Sequence, residues 1–361
     1  MRLYPIAAFA ALFAACAPYS PPKVKEPPPA ELPPPRTAPT GAVLQDQVTG
    51  TTARFQAISV VSENVVWASG TGGTYAITVN GGRSWRTGVV AGADSLEFRD
   101  VQGFDTRTAY LLSSGNGPAS RIYRTSDGGQ NWQLQFINRD STAFYDCFAF
   151  WDRKSGVAFS DNVAGRFPYL VTADSGQAWQ QRYLDGATKG EGAFAASGTC
   201  VVAGGGKKAW VATGAGTASH VLFTPDRGTT WEHFNTPIVQ GTSTTGHTTL
   251  TFRSDLDGLA AGGDIGDPKS VTDNVILTHD GGKSWTLGGR PTFTGAIYGA
   301  VYVPGAGTSV VAVGPGGASI SVDDGKSWTA LDTLAYWSVA FANRQAGWMV
   351  GPAGRITKVS F

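Results

Sequence analysis

The chain has 361 residues, 48 of them Gly and 11 Trp, with only 2 Met and a formal net charge of +1. Abundant Gly with aromatics and few helix formers argues for many short strands joined by tight turns. The near-neutral balance, with no run of Lys and Arg, gives no pull toward nucleic acid.

The first residues read as an export signal. Arg2 supplies a positive start, Leu3 to Ala15 is almost wholly apolar, and the stretch is too short to span a bilayer. It ends Leu12-Phe13-Ala14-Ala15-Cys16. Small residues before a Cys resemble a bacterial lipobox, in which Cys16 is acylated and becomes the mature N-terminus. Ala17, not Asp, follows; by the same resemblance this favours the outer membrane, facing the periplasm. The segment from Ala17 to Gly41 holds ten prolines, including Pro27-Pro28-Pro29 and Pro33-Pro34-Pro35. Such a segment is expected neither to pair nor to pack. At roughly 3.1 Å per residue it would reach about 70 Å from a membrane. The domain plan is therefore a lipoprotein signal over 1–16, a Pro-rich tether over 17–41 and one repeat domain over 42–361.

Within that domain one pattern recurs: Ser or Thr, any residue, Asp, any, Gly, any two, Trp. Full copies place Asp127, Asp174, Asp226, Asp280 and Asp323 before Trp132, Trp179, Trp231, Trp285 and Trp328, and a degenerate copy has Asn80 before Trp85. The chemistry is that of a hairpin turn, an Asp-box. The Asp carboxylate accepts backbone N–H groups of its own turn. Gly takes a positive φ, and Trp opens the next strand with a large buried face. Six equivalent acids are turn staples rather than six active sites. The Trp spacings are 47, 47, 52, 54 and 43 residues, a period with room for four strands, which is a propeller blade. After Trp328 three strand-like stretches remain, Trp337 to Ala342, Gly347 to Val350 and Arg355 to Phe361, without a further hairpin signal. The stretch Ala42 to Val48 precedes the first blade and has none of its own. It is expected to complete the last one, giving an all-β, seven-bladed β-propeller closed by an N-terminal strand, with no open edge.

Aligning the inner strands on Val60-Val61, Gly103-Phe104, Ala149-Phe150, Thr251-Phe252, Val301-Tyr302 and Ala340-Phe341 puts two rings of residues at one mouth of the channel. One reads Ala57, Asp100, Asp146, Thr199, Thr248, Tyr298 and Trp337; the preceding one reads Gln56, Arg99, Tyr145, Gly198, His247, Ile297 and Tyr336. Loops feeding that face add Asp161, Arg166, Glu191 and Asp264. The expected ligand- or partner-binding set is thus Arg99, Asp100, Tyr145, Asp146, Asp161, Arg166, Glu191, His247, Asp264, Tyr298 and Trp337, since a channel mouth is where a concave site forms. Arg99 and Asp100 could form a local ion pair. Asp146, Glu191 and His247 lack close metal-ligand spacing, so no metal is expected. Cys147 and Cys200 fall at one register on neighbouring inner strands. An envelope location permits a disulfide, but those strands are not hydrogen-bonded partners, which favours two buried free thiols.

The hairpins resemble those of BNR and sialidase-type repeats. More closely, Val65-Val66-Trp67-Ala68-Ser69-Gly70 and Ala346-Gly347-Trp348-Met349-Val350-Gly351 resemble the photosystem II stability/assembly factor family and its bacterial relatives. So do Phe98-Arg99-Asp100-Val101, the run Gly190 to Thr199, and Val311-Ala312-Val313-Gly314-Pro315. The resemblance spans about residues 50 to 361. It implies a non-enzymatic binding or assembly role toward an envelope protein client or a small ligand. The family gathers arginines into a client-binding patch, whereas this chain scatters them. No cofactor is expected, and a monomer is. A sialidase would need three Arg, a Tyr–Glu nucleophile pair and an Asp acid, and its Arg-Ile-Pro string is replaced here by Arg54-Phe55-Gln56. An oxidoreductase with a channel-bound cofactor is the other alternative, although no dinucleotide-binding Gly motif follows a strand and opens a helix.

Overall fold

A computed structural model describes residues 31–361. Cys16, the export signal and most of the Pro-rich segment lie outside the described residues.

The described chain forms seven antiparallel sheets around one axis, six of four strands and one of five. The inner strands are Phe55–Val60, Phe98–Gly103, Tyr145–Phe150, Val201–Gly204, Thr245–Phe252, Gly299–Tyr302 and Ser338–Asn343, which number blades one to seven. Blade seven is closed as the sequence implies. Val43–Asp46 pairs antiparallel with Ile356–Ser360, with Leu44 opposite Val359. One feature departs from expectation. Arg36–Thr37, inside the segment expected to stay unpaired, adds a fifth strand against Val43–Asp46. Arg36 and Thr37 lie in the gap between Pro35 and Pro39 and keep their N–H groups for pairing, and the Arg36 guanidinium bridges Asp46 and Asp332, each at 3.0 Å.

Seven apolar clusters hold the ring, one at each blade-to-blade interface. Period-two alternation in the second strands feeds two of them at once. In Val66–Gly70, Trp67 faces blade two while Val66 and Ala68 face blade seven. Trp67, Trp210 and Trp348 are the largest fully buried side chains. The Trp residues of the repeated hairpins are buried only at Trp85 and Trp285, and half-buried in the other four. The main aromatic filling therefore comes from the second strands rather than from the hairpins.

Each hairpin joins the third and fourth strands of a blade. In blade two Thr125 Oγ1 donates to Asp127 Oδ1 at 2.9 Å, and the same carboxylate oxygen accepts Asn131 N–H at 3.0 Å. Asn80 Oδ1 accepts Ser84 N–H in the degenerate copy. Asp174, Asp226, Asp280 and Asp323 repeat the arrangement. Gly128 lies at φ 81°, open to glycine at little cost. The hairpins sit at the end of the propeller opposite the starts of the inner strands, beside the first-to-second-strand turns, as in the bond from Gly128 N–H to Arg107 O.

Cys147 and Cys200 are joined, Cα to Cα 6.0 Å. The expectation of free thiols is corrected. Neighbouring inner strands converge toward the axis, so two residues that share no ladder still come within bridging range.

Candidate functional site

The inner strands of blades one, two, three and five carry a β-bulge near their start, with one extra residue at Gln56, Arg99, Asp146 and Thr248. A bulge re-aims the side chains that follow it. The sequence alignment had grouped Tyr145 and His247 with Gln56 and Arg99, one residue early in blades three and five. Tyr145 is accordingly fully buried between blades, its ring 5.5 Å from Phe136. His247 is fully buried too, with Nδ1 2.7 Å from Thr213 O, and burial pushes its pKa down to about 4. Neither forms part of an open mouth.

The mouth is not an open hole. The chain between blades three and four crosses it, and residues 193–199 act as a plug. Ser197 O accepts the Ser338 hydroxyl of blade seven at 3.1 Å, and Ser197 Oγ lies 2.6 Å from Thr199 Oγ1. Thr199 Oγ1 in turn lies 2.7 Å from Thr249 Oγ1 of blade five. On the opposite side Arg99 reaches Ala195 O at 3.4 Å, and Asp161 Oδ1 accepts Ala193 N–H at 2.9 Å. Gly198, at φ 75°, packs so closely on Asp100 that a Cβ would collide with its carboxylate.

Asp100 lies below the plug. It is 5 % exposed and accepts Val101 N–H and Phe148 N–H, a staple between blades two and three, while burial raises its pKa well above the usual range. The ion pair considered with Arg99 does not form. Arg99 instead pairs with Glu97 at 2.7 Å, and Glu97 also approaches Arg54 at 3.6 Å. Arg166 is exposed over the Tyr183 ring, and Asp264 caps its own turn at Gly266 N–H; neither side chain lines a mouth cavity, although Ile265 beside Asp264 does.

Two cavities flank the plug. The first, about 160 Å³, is lined by Arg54, Gln56, Arg99, Phe194, Tyr298 and Trp337, among others. Tyr298 meets Trp337 edge-on at 5.3 Å, and the Arg54 guanidinium lies 5.2 Å from the Trp337 ring centre. Arg54 and Gln56 each carry a buried polar atom without a partner, Nε and Oε1. The second cavity, about 360 Å³, lies beyond Phe194 and Ala195 and includes Asp146, Asp161, Asn162, Glu191, Phe144 and Arg99 in its lining. Asp146 is 1 % exposed; burial, together with the nearby Asp161, raises its pKa well above the usual range. Burial pushes Asp161 up to about 7, against the hydrogen bond from Ala193 N–H.

Glu191 forms the back wall. Its Oε1 takes Thr213 Oγ1 at 2.5 Å and meets His220 Nδ1 at 2.7 Å, while Thr188 donates N–H and hydroxyl to Oε2. Burial opposes ionisation, but the bonds from His220, Thr213 and Thr188 outweigh it and hold Glu191 below its usual pKa; the same contact raises His220. Among the described residues no group of three His, Cys, Asp or Glu is arranged to hold a metal ion.

Of the expected set, Arg99, Asp146, Asp161, Glu191, Tyr298 and Trp337 border the plugged mouth, and Asp100, Tyr145, Arg166, His247 and Asp264 do not. Arg54, Phe194 and His220 complete the site and were missed. Arg54 and Phe194 stood in strings read only for family likeness. His220 sits on a third strand, where nothing in the sequence pairs it with Glu191.

The chain is a β-propeller with a plugged, amphoteric mouth, and similar solved structures share that fold. YCF48 from Cyanidioschyzon merolae shares 16% identity at TM-score 0.62, over 88% of this chain and 98% of its own. YCF48 bound to D1 peptide shares 16% at TM-score 0.60, over 88% and 97%. The GH74 xyloglucanase from Xanthomonas campestris shares 12% at TM-score 0.57, over 89% of this chain but 53% of its own. At these identities the likeness is one of fold. No family model and no curated protein matches the sequence.

Proposed function

We propose that this chain is a non-enzymatic binding propeller, anchored through Cys16 to a bacterial cell envelope, that holds an extended segment of a protein client across its plugged mouth. The observation that carries this reading is the aromatic and cationic cleft of Arg54, Arg99, Tyr298 and Trp337. Aromatic rings bury large area with few rotamers to fix, and Arg presents several donors in one rigid planar fork, so both types are enriched among the residues that dominate interface energy. One Glu97 serves two guanidinium groups, which leaves a net positive charge and unused donors for client carboxylates or carbonyls. Similarity to the fold of YCF48, a propeller solved with a peptide bound, supports the same mode. The two arginines lining the cleft fall short of the three that sialidase chemistry needs.

The test is crosslinking capture of the anchored protein in its own envelope, comparing wild type with Arg54→Ala, Arg99→Ala and Trp337→Ala. Loss of one interface anchor costs about 2 kcal/mol, or roughly 30-fold in affinity. A partner recovered equally by all four proteins would place binding elsewhere.

A further inference from the structure

The acidic half of the mouth has chemistry that the cationic half does not use. Around the 360 Å³ cavity stand Asp146, Asp161, Glu191 and Arg99. Glu191 is matched by His220 and two threonines, and Arg99 by Glu97. Asp146 and Asp161 have no cationic partner of their own. Asp146 Oδ2 is buried without any donor, and its residue is 1 % exposed. The two carboxyls line the same cavity, and the charge of Asp161 adds to burial in disfavouring ionisation of Asp146. Neighbouring buried carboxyls resist ionising together, so the pair holds a proton. Phe144 and Phe194 supply aromatic walls. The volume falls within the range of small-molecule pockets.

We propose that this cavity binds an organic cation, a primary ammonium or a guanidinium, whose N–H groups supply the donor that the buried Asp146 Oδ2 lacks and take the place of the proton held by Asp146 and Asp161. The ligand enters already charged, makes charge-assisted hydrogen bonds to both carboxylates, and lies against the aromatic walls. The displaced proton leaves to solvent, so charge is conserved in the site. The cation can be a free amine or a Lys or Arg side chain of the client; only the second source rests on the proposed function. In that case the client segment is amphoteric, with a basic side chain in the acidic cavity and an acidic or carbonyl group at Arg54 and Arg99.

The groups that set the pH response are Asp161 on the loop after the second strand of blade three, Arg99 on blade two, and the Glu191–His220 pair behind the cavity. Protons compete with the ligand, so binding strengthens as pH rises through about 7, where Asp161 ionises. The test is titration calorimetry of the purified protein with n-butylammonium, n-butanol serving as the neutral isostere, in two buffers of different ionisation enthalpy. The expected result at pH 8 is saturable one-to-one binding of the amine at about 1–10 mM. Protons are released on binding, n-butanol does not bind, and affinity is at least tenfold weaker at pH 5.5. Asp146→Asn and Asp161→Asn each lose at least tenfold at pH 8 while keeping the wild-type near-UV circular dichroism. Failure of the wild type to bind the amine, equal binding of n-butanol, or unchanged affinity in both variants overturns the proposal. Amine binding without capture of a client leaves this inference standing and removes the proposed function; client capture without amine binding does the reverse.

Discussion

Replacing Leu44 by Ala tests whether the closing strand is a working part of the propeller. Leu44 is 2 % exposed and packs with Phe341, Met349 and Val359 of the last blade and with Val311 and Val313 of blade six. The substitution removes three carbons, worth about 2.4 kcal/mol at about 0.8 kcal/mol each. Ala38 and Ala42 are too small to refill the space, so a cavity term brings the expected loss to about 3 kcal/mol. Val43 is the internal control. It sits on the same strand but is 41 % exposed, and Val43→Ala should cost under about 1 kcal/mol. Urea unfolding followed by tryptophan fluorescence separates the two through their midpoints. Amide exchange of Ile356–Ser360, the strand that Val43–Asp46 covers, should accelerate in Leu44→Ala. Equal midpoints for the two variants, with exchange unchanged, would refute the packing described for this strand.

The Cys147–Cys200 bridge closes a loop of 53 residues in sequence separation, so the Cys147→Ala/Cys200→Ala pair should lose about 4 kcal/mol, seen as a reductant-insensitive but lower urea midpoint. In the Asp146–Asp161 pair the native state keeps a proton that the unfolded chain releases near pH 4. Stability contributed by this site therefore falls as pH rises from about 4 to about 7, and Asp161→Asn should flatten the melting temperature against pH over that window. Gly198→Ala places a Cβ against Asp100 at a positive φ, and should cost about 1–3 kcal/mol and speed amide exchange across 193–199.

The blade plan was legible because its signals are local. Each hairpin needs only eight residues to declare a hydroxyl, a carboxylate, a glycine and a tryptophan, and the leftover stretch at Ala42–Val48 had one place to go. The mouth was less legible because its geometry is not local. With the extra residues at Asp146 and Thr248, Tyr145 and His247 match the buried Phe55 and Phe98 rather than Gln56 and Arg99, and no sequence pattern marks which strands are bulged. The run Gly190 to Thr199 stood out only as a family-like string, and its path across the axis depends on partners such as Ser338, 141 residues away from Ser197. The disulfide was misjudged for a related reason. Ladder partnership says nothing about how closely strands converge at a hub. Burial of Trp67, Trp210 and Trp348 over the hairpin tryptophans follows from position: a second strand is flanked by sheet on both faces, whereas a hairpin end meets water.

The Ser197–Ser338 hydrogen bond joins blades that are not neighbours around the ring. A repeat array in which each unit touches only the next can lose its units one at a time, because its stability is a sum of nearest-neighbour terms. A strut through the hub adds a term shared by blades three, four, five and seven together with blade two. Releasing any one of them then strips the strut from the rest, so partial opening gains little and the transition sharpens toward a single cooperative step.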